Sequence, residues 1–144
     1  MEYSRSAKKP FNEKIIEAKK EIQNYYNAVH NELVSYKNVS SRISYRCASY
    51  RTGRKLLAKI GLRGKTLTTY FNLDVKDFNE KVFFQKDMSS VKAYREVPFA
   101  VKIKSERACN NAIKLVSSVA EKFELKKIED FKPINQIKLL KKKK

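Results

Sequence analysis

Apolar residues recur at two spacings along this chain, and the change of spacing marks its elements. Between Glu13 and Tyr36 they fall at Ile15, Ile22, Tyr26, Val29, Leu33 and Tyr36, in steps of three or four from Ile22 onward. That period predicts one helix with an apolar stripe, its far side carrying Glu17, Lys19, Lys20 and Glu21. Lys37-Asn38 ends it, because Asn tolerates the left-handed backbone of a helix terminus. The spacing then drops to two. Ile43, Tyr45 and Cys47 alternate with Arg42, Ser44 and Arg46, which predicts a half-buried strand over Ser41–Ser49. Arg51-Thr52-Gly53 and Arg63-Gly64-Lys65 read as tight turns. They frame a strand over Lys55–Leu62 (Leu56, Ala58, Ile60 and Leu62 inward) and another over Thr66–Leu73 (Leu67, Phe71 and Leu73 inward).

From Asp74 to Val97 no period holds. Asp74 and Ser90 are candidate caps for short helical turns, and Val82-Phe83-Phe84 is a short strand or a loop lying on the core. Pro98–Ile103 alternates again and predicts a fourth strand. Ser105 caps a second long helix, about Glu106–Glu124, with Ala108, Cys109, Ala112, Leu115, Val116, Val119 and Phe123 on its stripe. The expected fold is therefore α+β in two layers, a four-stranded, largely antiparallel sheet with two long helices on one face. Its order is helix, three strands, irregular connection, strand, helix. Residues 1–12 read as a flexible lead-in, 13–125 as a single domain and 126–144 as a lysine-rich tail.

Composition narrows the class. A chain of 144 residues with 42% hydrophobic content can bury a core of its own. No apolar run is long enough to span a membrane, and the N-terminal residues lack the apolar stretch of a secretory signal. Cys47 and Cys109 form no CxxC pair, so they are expected as buried thiols in a reducing, cytoplasmic setting.

Ser35-Tyr36-Lys37, Val39, Ser41-Arg42-Ile43-Ser44, Gly53-Arg54, Gly64-Lys65-Thr66-Leu67, Tyr70, Leu73-Asp74, Tyr94 and Val97-Pro98 form a recognisable string. Over about Tyr25–Phe123 the chain resembles an uncharacterised small α+β domain of Gram-positive anaerobic bacteria. It departs from that domain at Tyr45, where Trp is frequent, and at Asp74-Val75, where Asp-Pro is frequent. The resemblance implies an α+β fold and a bacterial cytoplasmic setting, and no activity.

Catalytic combinations are scarce. His30, the one histidine, lies a step off the apolar stripe and reads as a surface or boundary residue. To act as a base it needs a nucleophile such as Cys47 or Cys109 and an orienting acid within reach. Asp74, Asp77 and Asp87 read as turn and helix caps rather than metal ligands. Arg63-Gly64-Lys65-Thr66 looks like the end of a phosphate loop but lacks the upstream glycine and leads into a strand. No enzyme, cofactor, metal or small-molecule substrate is expected.

Charge is the informative signal. The chain carries 33 Lys and Arg against 15 Asp and Glu, a net charge of +18. Lys37 to Lys65 holds nine cations and no carboxylate, and five of the eight arginines (Arg42, Arg46, Arg51, Arg54, Arg63) lie there. Strand parity gathers Arg42, Arg46, Lys55, Lys59 and Arg63 on one sheet face, joined by Lys102, Tyr50 and Tyr70. Cations interleaved with rings suit phosphates and bases, and the planar guanidinium suits both. The expected partner is nucleic acid or another polyanion on that face. The alternative is a protein-interaction module whose basic face is merely solvated, since lysine also protects strand edges. A membrane surface is the least favoured partner.

Overall fold

Where the periodicity predicts one opening helix, the chain builds two. In the computed structural model, which describes residues 9–142, α1 spans Phe11–Glu17 and α2 spans Lys20–Val34. Ala18 and Lys19 between them are extended, with ψ of 162° and 149°. The Gln23 amide crosses this break and donates to the Ile15 and Ile16 carbonyls at 3.1 and 2.8 Å, the Ile15 carbonyl also accepting from the Ala18 N–H. Residues 1–8 of the expected lead-in lie outside the described residues, as do Lys143 and Lys144. Phe11, at its other end, is buried and opens α1. After α2, Asn38 takes the left-handed backbone its position predicts (φ 66°).

Six strands follow, not four: β1 (Val39–Ile43), β2 (Cys47–Thr52), β3 (Lys55–Arg63), β4 (Thr66–Phe71), β5 (Lys86–Asp87) and β6 (Phe99–Ile103). The sheet is antiparallel throughout, in the order β1-β2-β3-β4-β6-β5. One extra strand arises because the expected Ser41–Ser49 strand folds back on itself. Its turn at Ser44–Arg46 is closed by the Ser44 N–H donating to the Cys47 carbonyl at 2.9 Å. Tyr45, expected inward, is the exposed tip of that turn. The β2–β3 and β3–β4 hairpins have two-residue loops with Gly53 and Gly64 at the first central position, each at φ 61°. Glycine meets that angle without a Cβ penalty.

A bulge in β3 resets the register. Tyr50 faces Ala58 and Arg51 faces Leu56, so Leu57 has no counterpart on β2. Two residues opposing one turn the strand, and Leu57 joins Ala58 on the helix side of the sheet. Leu56, expected inward, faces the other way with Tyr70, Met88, Val97 and Ala100.

The helix side holds the main core, with Ile60, Leu67, Phe71, Phe99, Val101 and Ile103 of the sheet under Tyr26, Val29 and Leu33 of α2. Leu115, Val116 and Val119 of α4 (Glu106–Lys122) complete it. Each such side chain contributes roughly 1.5–3 kcal/mol by leaving water. As the sequence predicts, the Ser105 hydroxyl caps α4, accepting from the Ala108 N–H at 3.2 Å.

The segment between β4 and β6 serves both faces: Val75, Phe78 and Phe83 pack against the helix-side core, while Met88, Tyr94 and Val97 cover the opposite face. It contains a 3-10 turn at Val75–Asp77, α3 (Glu80–Phe83), β5 and a second 3-10 turn at Lys92–Tyr94. Asp74 caps the first turn, accepting from the Lys76 N–H at 2.9 Å, whereas the second has no side-chain cap from Ser90. The expected tail is also built in. The Lys37 and Ile128 N–H groups donate to the Lys126 and Ser35 carbonyls, both at 2.8 Å, and α5 (Gln136–Lys142) buries Ile137 and Leu140 against α1 and α2. Among the described residues no helix is long and apolar enough to cross a membrane.

Candidate functional site

The pairing registers fix one transverse row on the sheet face away from the helices: Arg42, Ser49, Lys59, Tyr70, Ala100, Lys86. Arg63, Thr66, Thr68 and Lys102 flank it by the same parity. Arg42, Lys59, Arg63, Tyr70 and Lys102 therefore share the face on which the sequence places them.

Tyr50 and Lys55 do not. The Ser44–Arg46 turn shifts parity on β2, so Tyr50 points into the helix-side core, fully buried, with its hydroxyl 2.6 Å from His30 Nδ1. The bulge at Leu57 does the same for Lys55, whose Nζ lies 5.5 Å from the centre of the Phe123 ring. Arg46 is exposed within the turn, beyond the strand it was expected to occupy.

Two of the five remaining residues are covered. The Tyr70 ring is 1% exposed, stacked on Tyr94 at 4.0 Å with 8° between the planes. Burial and the adjacent Tyr94 push its phenol well above the ordinary range, and Arg63 opposes them only in part. Lys59 is half-buried, with its ammonium donating to the Ala93 carbonyl at 2.8 Å and lying 5.6 Å from the Tyr94 ring centre. Both residues anchor the overlying connection: the Tyr70 ring is covered by Tyr94, and the Lys59 ammonium is turned toward Ala93. Arg42 is exposed but far from the other end of the row: five strand spacings separate it from Lys86, about 24 Å.

Arg63 and Lys102 remain, and the fold brings them new company. They line a groove of about 610 Å³ between the sheet face, α3 and the start of α4, shared with Lys86, Lys104 and Arg107. These five exposed cations have no carboxylate beside them in the lining and no ion-pair partner among the described residues. Thr66, Thr68, Ser105 and Asn111 add polar groups, and Phe83, Phe84, Met88 and Ala108 add an apolar part. Lys86 escapes sequence reasoning because β5, two residues long, leaves no periodic trace. Lys104 and Arg107 flank the Ser105 cap, and that proximity to a strand end was the signal available for them.

The catalytic combinations come apart. His30 is buried, not at the surface, and burial lowers its pKa to about 4. Its Nδ1 is engaged by Tyr50 rather than by a cysteine. Cys109 lies in the helix-side core, where burial foremost raises its thiol to about 11. Cys47 is buried on the opposite parity, beside the Ser44 and Ser49 hydroxyls. Asp87 accepts from the Ser89 N–H at 2.9 Å, which holds its pKa down. Among the described residues no group of three or more His, Cys, Asp or Glu could hold a metal ion.

No protein-family model, curated protein or solved structure matches this chain. What the site does must be argued from its chemistry.

Proposed function

We propose that this protein is a non-enzymatic, cytoplasmic nucleic-acid-binding domain whose contact surface is the groove beside β6. The observation that carries the reading is the clustering of Arg63, Lys86, Lys102, Lys104 and Arg107 in one concave surface with no carboxylate among the described residues of its lining. Like charges held this close repel one another, and bound phosphates would neutralise them. The two buried, free thiols fit a reducing compartment.

The test is affinity against salt for a labelled single-stranded oligonucleotide. The triple variant Arg63→Ala, Lys102→Ala, Arg107→Ala should weaken binding and flatten the log–log salt slope by about two units, at about 0.7 per phosphate contact. A control triple, Arg42→Ala, Arg46→Ala, Arg54→Ala, removes the same charge from exposed positions away from the groove. It should change the slope much less. Equal losses in the two triples would reduce the groove to undirected net charge and overturn the assignment.

A further inference from the structure

Phe84 is the most exposed large apolar residue among those described, at 76%. Its backbone is left-handed (φ 52°), a region that a bulky side chain occupies only when its surroundings impose it. Here the surroundings are visible. On one side, the Asn111 amide of α4 donates to the Val82 carbonyl at 3.3 Å. On the other, the buried Gln85 amide donates to the Val75 and Phe78 carbonyls, both at 3.1 Å. Phe83 turns inward and packs edge-to-face on Phe78 and Phe99. Two consecutive phenylalanines thus part, one into the core and one into the mouth of the cationic groove. β5 begins only at Lys86, so it has no residue opposite Lys102.

We propose that the groove takes a single-stranded nucleic acid, with an unpaired base lying on the Phe84 ring while neighbouring phosphates meet Arg63, Lys102 and Arg107. This rests on the nucleic-acid reading above and adds to it the choice between strands. A duplex keeps its base faces stacked inside and offers a groove only phosphates and sugars, whereas a single strand offers a π-face to any fixed ring. Charge alone does not distinguish the two. An exposed ring beside the charges does, because an aromatic platform among cations is the combination that holds successive bases and backbone together. Tyr70 cannot serve, being buried under Tyr94, which leaves Phe84 as the accessible ring of the lining.

The chain has no tryptophan, so Phe84→Trp creates a single-tryptophan reporter at the platform. Four probes separate the terms: a thymidine oligonucleotide of about ten residues, within the usual site size, an abasic strand of equal length, a duplex, and polyglutamate. The wild-type protein should bind the thymidine strand more tightly than the other three. Phe84→Ala should weaken that binding about 5- to 150-fold, the range expected for loss of one stacked base. Its affinity for the abasic strand and its salt slope should not move. Emission of the Phe84→Trp protein should be quenched by the thymidine strand and not by the abasic one. Equal binding of thymidine and abasic strands, or an unaltered Phe84→Ala affinity, overturns the stacking proposal while leaving the phosphate reading in place. Binding of polyglutamate as tight as that of the strands, or of none of the four, overturns both.

Discussion

His30 and Tyr50 meet edge-to-face across the seam between α2 and β2, with ring centroids 5.5 Å apart and His30 Nδ1 2.6 Å from the Tyr50 hydroxyl. Burial holds the Tyr50 phenol well above its usual range, so it keeps its proton, and burial keeps the imidazole beside it neutral. Protonating that imidazole places a charge in the core.

The consequence is a pH-dependent stability of defined sign. The His30 pKa is lowered by burial from 6.5 to about 4, so between those values the unfolded chain binds a proton that the folded one refuses. Stability from this group is fully present above pH 6.5 and is lost as pH falls toward 4, by roughly 3 kcal/mol in all. Urea midpoints of the wild type should fall steadily over that interval, and His30→Gln should be less stable at pH 7 but much flatter. An equal slope in the variant would assign the loss to other groups.

Core substitutions should separate the two sides of the sheet. Leu67→Ala and Phe71→Ala each empty a fully buried position on the helix side and should cost roughly 2–5 kcal/mol. Leu56→Ala acts on the smaller cluster under the connection and should loosen the segment around Met88–Val97 before the sheet itself melts. Hydrogen exchange read by segment would show this. Protection lost equally across α4 and the connection would mean that the two clusters open as one.

The pattern of what sequence disclosed has a physical basis. Gly53, Gly64, Asn38 and Ser105 were legible because each position demands a particular residue chemistry: positive φ at the first three, a side-chain acceptor at the last. The Ser44–Arg46 turn contains neither Gly nor Pro, and Tyr45 sits where an inward residue would, so the alternation runs through it unbroken. The bulge is marked only by three consecutive apolar residues, Leu56-Leu57-Ala58, which a continuous strand would also show. Each irregularity reverses the facing of the side chains on one side of it, Cys47 and Tyr50 after the turn and Lys55 and Leu56 before the bulge. That is why Tyr50 and Lys55 were assigned to the wrong face. At the groove, Arg63 and Lys102 were legible from parity, whereas Lys86, Lys104, Arg107 and Phe84 converge only through tertiary packing of an aperiodic segment.

The thiols offer a check on the proposed non-enzymatic reading. Cys109 is buried and its pKa is raised to about 11, so at neutral pH it is a thiol rather than the reactive thiolate. Cys47 is buried as well. Both should react with a disulfide reagent slowly in the native protein and rapidly in denaturant. Prompt stoichiometric labelling of the native state would place a thiolate at the surface and reopen the enzymatic reading.

The C-terminal helix gives the last prediction, because its lysines disguise what it does. Ile137 and Leu140 lie three apart on α5 and are 4% and 5% exposed, while Lys138 and Lys141 between and beyond them stay in solvent. The approach is held by two asparagines four residues apart on α2. Asn27 accepts from the Gln136 N–H and Asn31 from the Ile134 N–H, each at 2.9 Å, and the Asn31 amide also donates to the Ile134 carbonyl at 2.8 Å. A mobile basic tail would tolerate Ile137→Ala and Leu140→Ala without change in stability. A docked helix should not: each substitution removes buried methyl groups from the seam with α1 and α2, for roughly 2–5 kcal/mol if the neighbours cannot close the gap. Asn27→Ala together with Asn31→Ala should also destabilise, by about 1 kcal/mol per hydrogen bond removed, and should raise amide exchange in α5 while sparing β3 and β4. If the double asparagine variant leaves exchange in α5 unaltered, side-chain burial alone holds the helix, and the asparagine contacts are incidental to its docking.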